Sequence, residues 1–218
     1  MIEKYTVSEL INHCQQAIEK ADKNESNISQ EILSMQGMSG TKTRHLYNNI
    51  CNLKNANYLE IGTWQGSSFV SSNYKNNLNS IVIDNWSQFN GPKDQFIENV
   101  KTFCPETKYH YIENDCFAID LKQITDISES IDIYLYDGEH SQESQKKALT
   151  YFYPVLSKYS IVIIDDFCAD SVWKGTDEGL EEAGLIVHKK ITRECNQTTG
   201  GDQTYWNGLG LFVCERTK

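Results

Sequence analysis

No apolar run in the chain approaches the roughly 20 residues that a membrane-spanning helix needs, and the run Ile161–Ile164 is only strand-sized. The N-terminus lacks the charged head and apolar body of a secretory signal. The chain therefore reads as soluble and cytoplasmic, with no membrane partner. Basic charge is scarce: the formal net charge is −10 and the lysines and arginines are scattered. A protein that grips a phosphate backbone shows a basic face, so no nucleic-acid partner is expected. The seven cysteines contain no C-x-x-C pair and are odd in number, which argues against a zinc site or a disulfide framework. There is no internal repeat and no low-complexity tract. At 218 residues the chain can bury one α/β core without staples.

The first fifty residues read as helices. Helical spacing runs over Val7–Lys23, with Leu10, Ile11, Cys14, Ala17, Ile18 and Ala21 on one face and Ser8 as N-cap. A loop over Asn24–Ser29 precedes a second helix, about Gln30–Met35. Gly37-Met38-Ser39-Gly40 breaks it, and Thr41 or Thr43 caps a third helix ending near Asn52. Residues 1–52 are taken as an N-terminal helical segment, able to act as a lid or to pack against a second subunit, and 53–218 as the main domain.

From Asn57 the pattern becomes short apolar strands alternating with amphipathic stretches, the signature of a parallel sheet wrapped by helices. The strands are Tyr58–Ile61, Ser80–Asp84, Tyr109–Glu113, Ile131–Tyr136 and Ser160–Ile164. Leu185–Ile191 and Gly208–Cys214 are joined by a polar loop instead of a helix, which predicts an antiparallel pair. Ligands of open α/β sheets sit at the carboxyl ends of the strands, and those ends carry Glu60, Asp84, Asp115, Asp137 and Asp165.

The first strand runs into Gly62-Thr63-Trp64-Gln65-Gly66-Ser67-Ser68. Gly62 permits a tight turn, Gly66 permits close helix packing, and Ser67 or Ser68 can begin the helix. A dinucleotide site asks for G-x-G-x-x-G, so that backbone can approach a pyrophosphate; here Trp64 holds the place of the middle glycine. Asp84 stands where an acid can hold ribose hydroxyls, with Asn85 beside it, and Trp86 and Phe89 follow as candidates to cover a nucleobase. These residues point to a nucleoside ligand without a phosphate bridge.

Glu60-x-Gly62-x-x-x-Gly66, then Asp84, then Asn114-Asp115 resembles the cofactor site of class I S-adenosylmethionine-dependent methyltransferases. Tyr136-Asp137-Gly138-Glu139-His140-Ser141, Tyr153-Pro154-Val155-Leu156 and Ile163-Ile164-Asp165-Asp166-Phe167 resemble the branch of macrocin-type sugar O-methyltransferases. The resemblance spans about Asn57 to Cys214. It implies a Rossmann-like, mostly parallel seven-stranded sheet in the order 3-2-1-4-5-7-6, with strand 7 antiparallel. It also implies S-adenosylmethionine as cofactor: Glu60 and Gly62 at the methionine end, Asp84 on ribose, Asp115 at the adenine amine. Thr63, Ser67, Asn85, Trp86, Asn114 and Asp137 complete the expected cofactor set. By the same resemblance Asp137, Asp165 and Asp166 hold Mg2+, with Glu139 as a fourth acidic participant. Like charges so close favour a shared cation, and hard oxygen ligands suit magnesium.

Methyl transfer to a small-molecule hydroxyl needs a base, for which Asp137 comes first and His140 second. Gly37–Gly40 with Arg44 and His45 can lid the methionine end. The Thr192–Asn207 loop, with Arg193, Asn196, Gln197, Gly200, Gly201 and Trp206, is expected near the acceptor. The alternatives are a nicotinamide-dependent oxidoreductase on a similar sheet and a non-catalytic nucleoside-binding protein.

Overall fold

The computed structural model describes residues 3–194 and 204–217. Three helices come first: α1 (Val7–Asp22), α2 (Gln30–Leu33) and α3 (Thr41–Ile50). Strands and helices then alternate: β1 (Asn57–Ile61), α4 (Ser67–Asn73), β2 (Asn79–Asp84), α5 (Lys93–Phe103), β3 (Tyr109–Glu113), α6 (Lys122–Thr125), β4 (Ile131–Tyr136), α7 (Gln142–Phe152), β5 (Leu156–Asp165) and α8 (Asp170–Ala183). The chain closes with β6 (Leu185–Arg193) and β7 (Leu209–Arg216). The seven strands form one sheet in the order β3-β2-β1-β4-β5-β7-β6. The first five are parallel to one another, and β7 runs antiparallel between β5 and β6. This is the Rossmann-like arrangement that the resemblance to class I methyltransferases implied. No described helix is long and apolar enough to cross a membrane.

Period-two alternation splits the sheet into two cores. Tyr58, Val82, Ile133, Leu135, Ile161 and Ile163 face α1, α3, α4 and α5. Leu59, Ile81, Ile83, Tyr134, Val162 and Ile164 face α7 and α8 on the other side. The apolar stripe of α1 (Leu10, Cys14, Ala17, Ile18, Ala21) is buried with α3 and with Leu209, Leu211 and Val213 of β7.

Several boundaries differ from the sequence reading. Helix α1 is capped by Thr6, not Ser8: Thr6 Oγ1 accepts from Glu9 N at 3.2 Å, and Glu9 Oε2 accepts from Thr6 N at 2.7 Å. That reciprocal box satisfies two otherwise orphan donors, whereas Ser8 lies inside the helix. Helices α2 and α3 end two residues early, at Leu33 and Ile50. Neither Thr41 nor Thr43 caps α3; Gly40 occupies that position, and the Thr204 carbonyl accepts from Lys42 N and Thr43 N at 2.9 and 3.2 Å. Strand β5 starts four residues sooner than expected, because Leu156 pairs with Ile131 before a register shift.

Thr6→Ala should lower unfolding stability by about 1 kcal/mol, the usual cost of losing a side-chain N-cap, while Ser8→Ala leaves it within about 0.5 kcal/mol. Urea unfolding of the two variants checks this; equal effects would reject the capping box.

Candidate active site

A cavity of about 730 Å³ opens at the carboxyl ends of β1, β2, β4 and β5. Its position follows from topology: β1 and β4 are neighbours whose connections leave on opposite faces, so a crevice opens between them. Gly62 shapes the floor with φ +78°, and a Cβ there would lie 2.1 Å from the carbonyl oxygen of Asp137. Only glycine lets these two strand ends approach so closely. Gly66 (φ +86°) faces the Phe96 ring, 2.8 Å from where its Cβ would stand, and so serves packing instead of lining the cavity.

Asp84 fixes the floor. Its Oδ2 accepts from Thr63 N and Trp64 N at 2.8 and 2.9 Å, and its Oδ1 accepts from Trp86 N at 2.7 Å. Asn85 is exposed on the same wall. Trp86 is 6% exposed, donates Nε1–H to the Trp64 carbonyl at 2.9 Å and packs on Phe96. It therefore presents little ring to the cavity. Phe89, 61% exposed, stands at the mouth against Trp64.

The expected place of Glu60 is corrected by the structure. It does not line the cavity. Glu60 shares the Tyr58 face of β1, so its side chain enters the core beneath α4. There Tyr58 Oη and Ser68 Oγ each donate to it at 2.5 Å. Burial pushes its carboxyl up to about 7 even against those two hydrogen bonds.

Asn114 and Asp115 line the far wall and are exposed, Asp115 Oδ1 accepting from Phe117 N at 2.8 Å. Cys116 and Phe117, which the sequence reading passed over, line the same wall, and Phe117 stacks on Tyr136 at 6.4 Å. Their signal was available, since they directly follow a strand-end acid.

At the other end Asp137, His140 and Asp166 converge, with one ligand atom from each within 4.8 Å of the others. His140 Nδ1 lies 3.2 Å from Asp166 Oδ2, and His140 Nε2 lies 3.7 Å from Asp137 Oδ1. Asp166 adopts φ +53°, a strained left-handed turn that Asp tolerates better than most residues. Asp165 departs from the expected three-aspartate set. It is 4% exposed, its Oδ1 accepts from Asp166 N at 3.0 Å, and His140 takes its place in the cluster. Burial and mutual repulsion raise the carboxyls of Asp137 and Asp165 well above the usual range. Glu139 Oε1 accepts from Ser141 N at 3.0 Å at the cavity rim.

Met38 and Ser39 of the expected lid line the cavity, whereas His45 points away, its Nδ1 2.8 Å from Ser26 Oγ. In the C-terminal loop, Trp206 and Asn207 line the cavity, and Arg193 pairs with Asp22 at 2.7 Å. Asn196, Gln197, Gly200 and Gly201 lie outside the described residues. Six carboxylates line the cavity (Asp84, Asp115, Asp137, Glu139, Asp165 and Asp166), with no lysine or arginine among the described residues.

Residues 59–167, half of the chain, match the sequence profile of a family described as a methyltransferase domain. No curated protein matches the sequence. Among solved structures, an O-methyltransferase of Bacillus cereus in complex with S-adenosylhomocysteine is 13% identical, with TM-score 0.56 over 99% of this chain and 93% of that one. A protein of Pyrococcus horikoshii described as a candidate RNA methyltransferase is 11% identical, with TM-score 0.58 over 94% and 98%. The precorrin-6y C5,15-methyltransferase of Geobacter metallireducens is 12% identical, with TM-score 0.57 over 89% and 95%. At these identities the likeness is one of fold.

The raised carboxyl of Glu60 means that the folded chain binds more protons than the unfolded chain between about pH 4.5 and 7. Stability should therefore fall as pH rises through that window, by up to about 3 kcal/mol from this residue. Glu60→Gln should flatten the fall, as read by urea unfolding across pH. An unchanged slope would show Glu60 ionised and fully compensated by Tyr58 and Ser68.

Proposed function

The chain belongs to this methyltransferase-domain family, and on that premise we propose that it transfers a methyl group from S-adenosylmethionine to a hydroxyl of a small acceptor. The observation that carries the reading is the charge of the cavity: carboxylates line it, and among the described residues no lysine or arginine does. A pyrophosphate-bridged dinucleotide would be repelled there and would meet Trp64 where a glycine is needed. A sulfonium cation is attracted. The same charge disfavours a polyanionic acceptor such as RNA, and resemblance to macrocin-type enzymes favours a sugar. The B. cereus neighbour, which carries S-adenosylhomocysteine, is consistent with this cofactor.

In this reading the nucleoside lies between Asp84 and Asp115, with its methyl end toward Asp137. Asp84 can still accept from ribose hydroxyls, since each carboxylate oxygen offers two acceptor sites. Gly62, Thr63, Ser67, Asn85 and Asn114 supply the surrounding polar wall. The acceptor oxygen attacks the methyl carbon in line with the C–S bond. The electron pair of that bond passes to sulfur, and the hydroxyl proton passes to Asp137. Burial and the neighbouring Asp166 raise the affinity of that carboxylate for a proton. His140 is the second base: its Nδ1 lies 3.2 Å from Asp166 Oδ2, so a proton on Nδ1 would leave Nε2 as the acceptor. Residues 1–52 form the lid segment and 53–218 the cofactor domain.

A divalent cation fits the site in part. Asp137, Asp166 and His140 present two carboxylate oxygens and an imidazole nitrogen close together, a donor set with less preference for Mg2+ than three aspartates would have. These residues would hold the ion, whose chemistry would be to lower the pKa of an acceptor hydroxyl.

Isothermal titration should show binding of S-adenosylmethionine and S-adenosylhomocysteine but not of nicotinamide dinucleotides. Asp84→Ala should weaken that binding by about 2–3 kcal/mol, through loss of hydrogen bonds to a charged group. Binding of a dinucleotide alone would reject the assignment. Once an acceptor is found, turnover in chelator separates the two chemistries. Activity that is lost and then restored by Mg2+ supports the ion, whereas full activity leaves Asp137 and His140 as simple bases.

A further inference from the structure

Arg44 is 3% exposed and has no carboxylate beside it among the described residues. Its Nη1 donates to the carbonyls of Ile32 (2.7 Å), Met35 (2.8 Å) and Leu33 (3.3 Å), and its Nε donates to Ser39 Oγ at 3.0 Å. These contacts offer partial charges at the end of α2 but no counter-ion. A buried cation without an anion is costly, and it is unexpected in a chain of net charge −10. Burial depresses the affinity of the guanidinium for its proton, with no neighbouring acid to restore it.

The remaining nitrogen, Nη2, donates to nothing among the described residues and faces Gly37. A Cβ on Gly37 would stand 2.8 Å from Arg44 Nη2 and 2.2 Å from Ser67 Oγ. The missing side chain is therefore what leaves these two groups facing each other. Ser67 lines the cavity, as do Met38 and Ser39 beside Gly37, and its hydroxyl likewise has no hydrogen-bond partner among the described residues. Two unfilled donors, one of them cationic, thus lie together behind Gly37, next to Met38, Ser39 and Ser67 of the acidic cavity's lining.

We propose that Arg44 Nη2 and Ser67 Oγ receive a carboxylate of the bound cofactor, namely the α-carboxylate of its methionyl part. This rests on the reading of the cavity as an S-adenosylmethionine site. In that placement ribose is at Asp84 and the base at Asp115, so the amino-acid end points back across the Gly62 turn toward the start of α4, where Ser67 lies. The carboxylate supplies the counter-charge that Arg44 lacks. Because Nη1 and Nε of the same guanidinium hold the Ile32–Ser39 segment, binding also fastens that segment to the ligand.

The test compares S-adenosylhomocysteine with its decarboxylated analogue, S-adenosyl-3-thiopropylamine, by isothermal titration on the full chain. Wild type should prefer the carboxylate-bearing ligand by about 10- to 100-fold, as expected for a charge-assisted hydrogen-bond pair. In Arg44→Gln the two ligands should bind within about 3-fold of each other. Gly37→Ala fills the gap between Nη2 and Ser67 and should lose the preference as well; it decides the matter if Arg44→Gln fails to fold by circular dichroism. A folded variant that keeps the full preference overturns the assignment, as does a wild type that binds both ligands equally. A wild type that binds neither overturns the cofactor reading itself, and the site with it.

Discussion

Three backbone N–H groups converge on the carboxylate of Asp84, and the shape of the cavity depends on them. Two come from the turn after β1 and one from the turn after β2. Trp64 and Trp86 both take left-handed backbone angles, φ +48° and +46°, which cost a bulky residue about 1 kcal/mol or more each. Charge-assisted hydrogen bonds to Asp84 are strong enough to offset that strain, and the bond from Trp86 Nε1 to the Trp64 carbonyl adds a second tie. A tryptophan can therefore stand where a dinucleotide site keeps glycine. The carboxylate holds the loop in a shape that the side chain alone would resist.

Glu60 does the matching work one layer down. It joins Tyr58 on β1 to Ser68 on α4, and Ser72 Oγ donates to the Tyr58 hydroxyl at 3.1 Å. The helix that follows the glycine turn is thus fastened to the strand that precedes it through a buried polar cluster. Such a cluster rigidifies only when its members are satisfied. Here both carboxylate oxygens have donors, so the loop between β1 and α4 is held at its strand, at its helix and, through Asp84, from the side.

Much of this was legible in the sequence. The alternation of apolar strands and amphipathic helices pointed to a parallel sheet, the helix-free connection between the last two strands to an antiparallel pair, and the acids at the strand ends to the cavity, while the strand order came from the resemblance to class I methyltransferases. The direction of side chains was harder to read. Glu60 lies two residues from Tyr58, and period two places both on the core face; the alternation held that information, but an acidic residue at a strand end draws the eye to the ligand side. Asp165 and Asp166 show the opposite difficulty. A single backbone angle at Asp166 turns its carboxylate toward Asp137 and His140 while Asp165 stays buried, and no periodicity encodes that angle. Thr6 and Ser8 are equally good caps by residue type, and only the position of Glu9, three residues after Thr6, separates them.

The charges around the cavity are sorted by place. The acids gather where a sulfonium and an acceptor hydroxyl would lie. The nearby buried guanidinium stands behind Gly37, outside the lining, with one nitrogen unfilled. In a region of low dielectric, such a separation acts over several ångströms with little screening. Asp84, Asp137 and Asp166 face the cavity directly; backbone N–H groups fix the carboxylate of Asp84, and that of Asp166 lies 3.2 Å from the His140 imidazole. A zwitterionic ligand with a cationic centre and a terminal carboxylate matches this field in one orientation only. Reversed, it would set its carboxylate among the aspartates and its cation against Arg44. The field can therefore orient the methyl group before any contact with an acceptor is made, and the protein places its acids at strand ends, where the sheet holds them still.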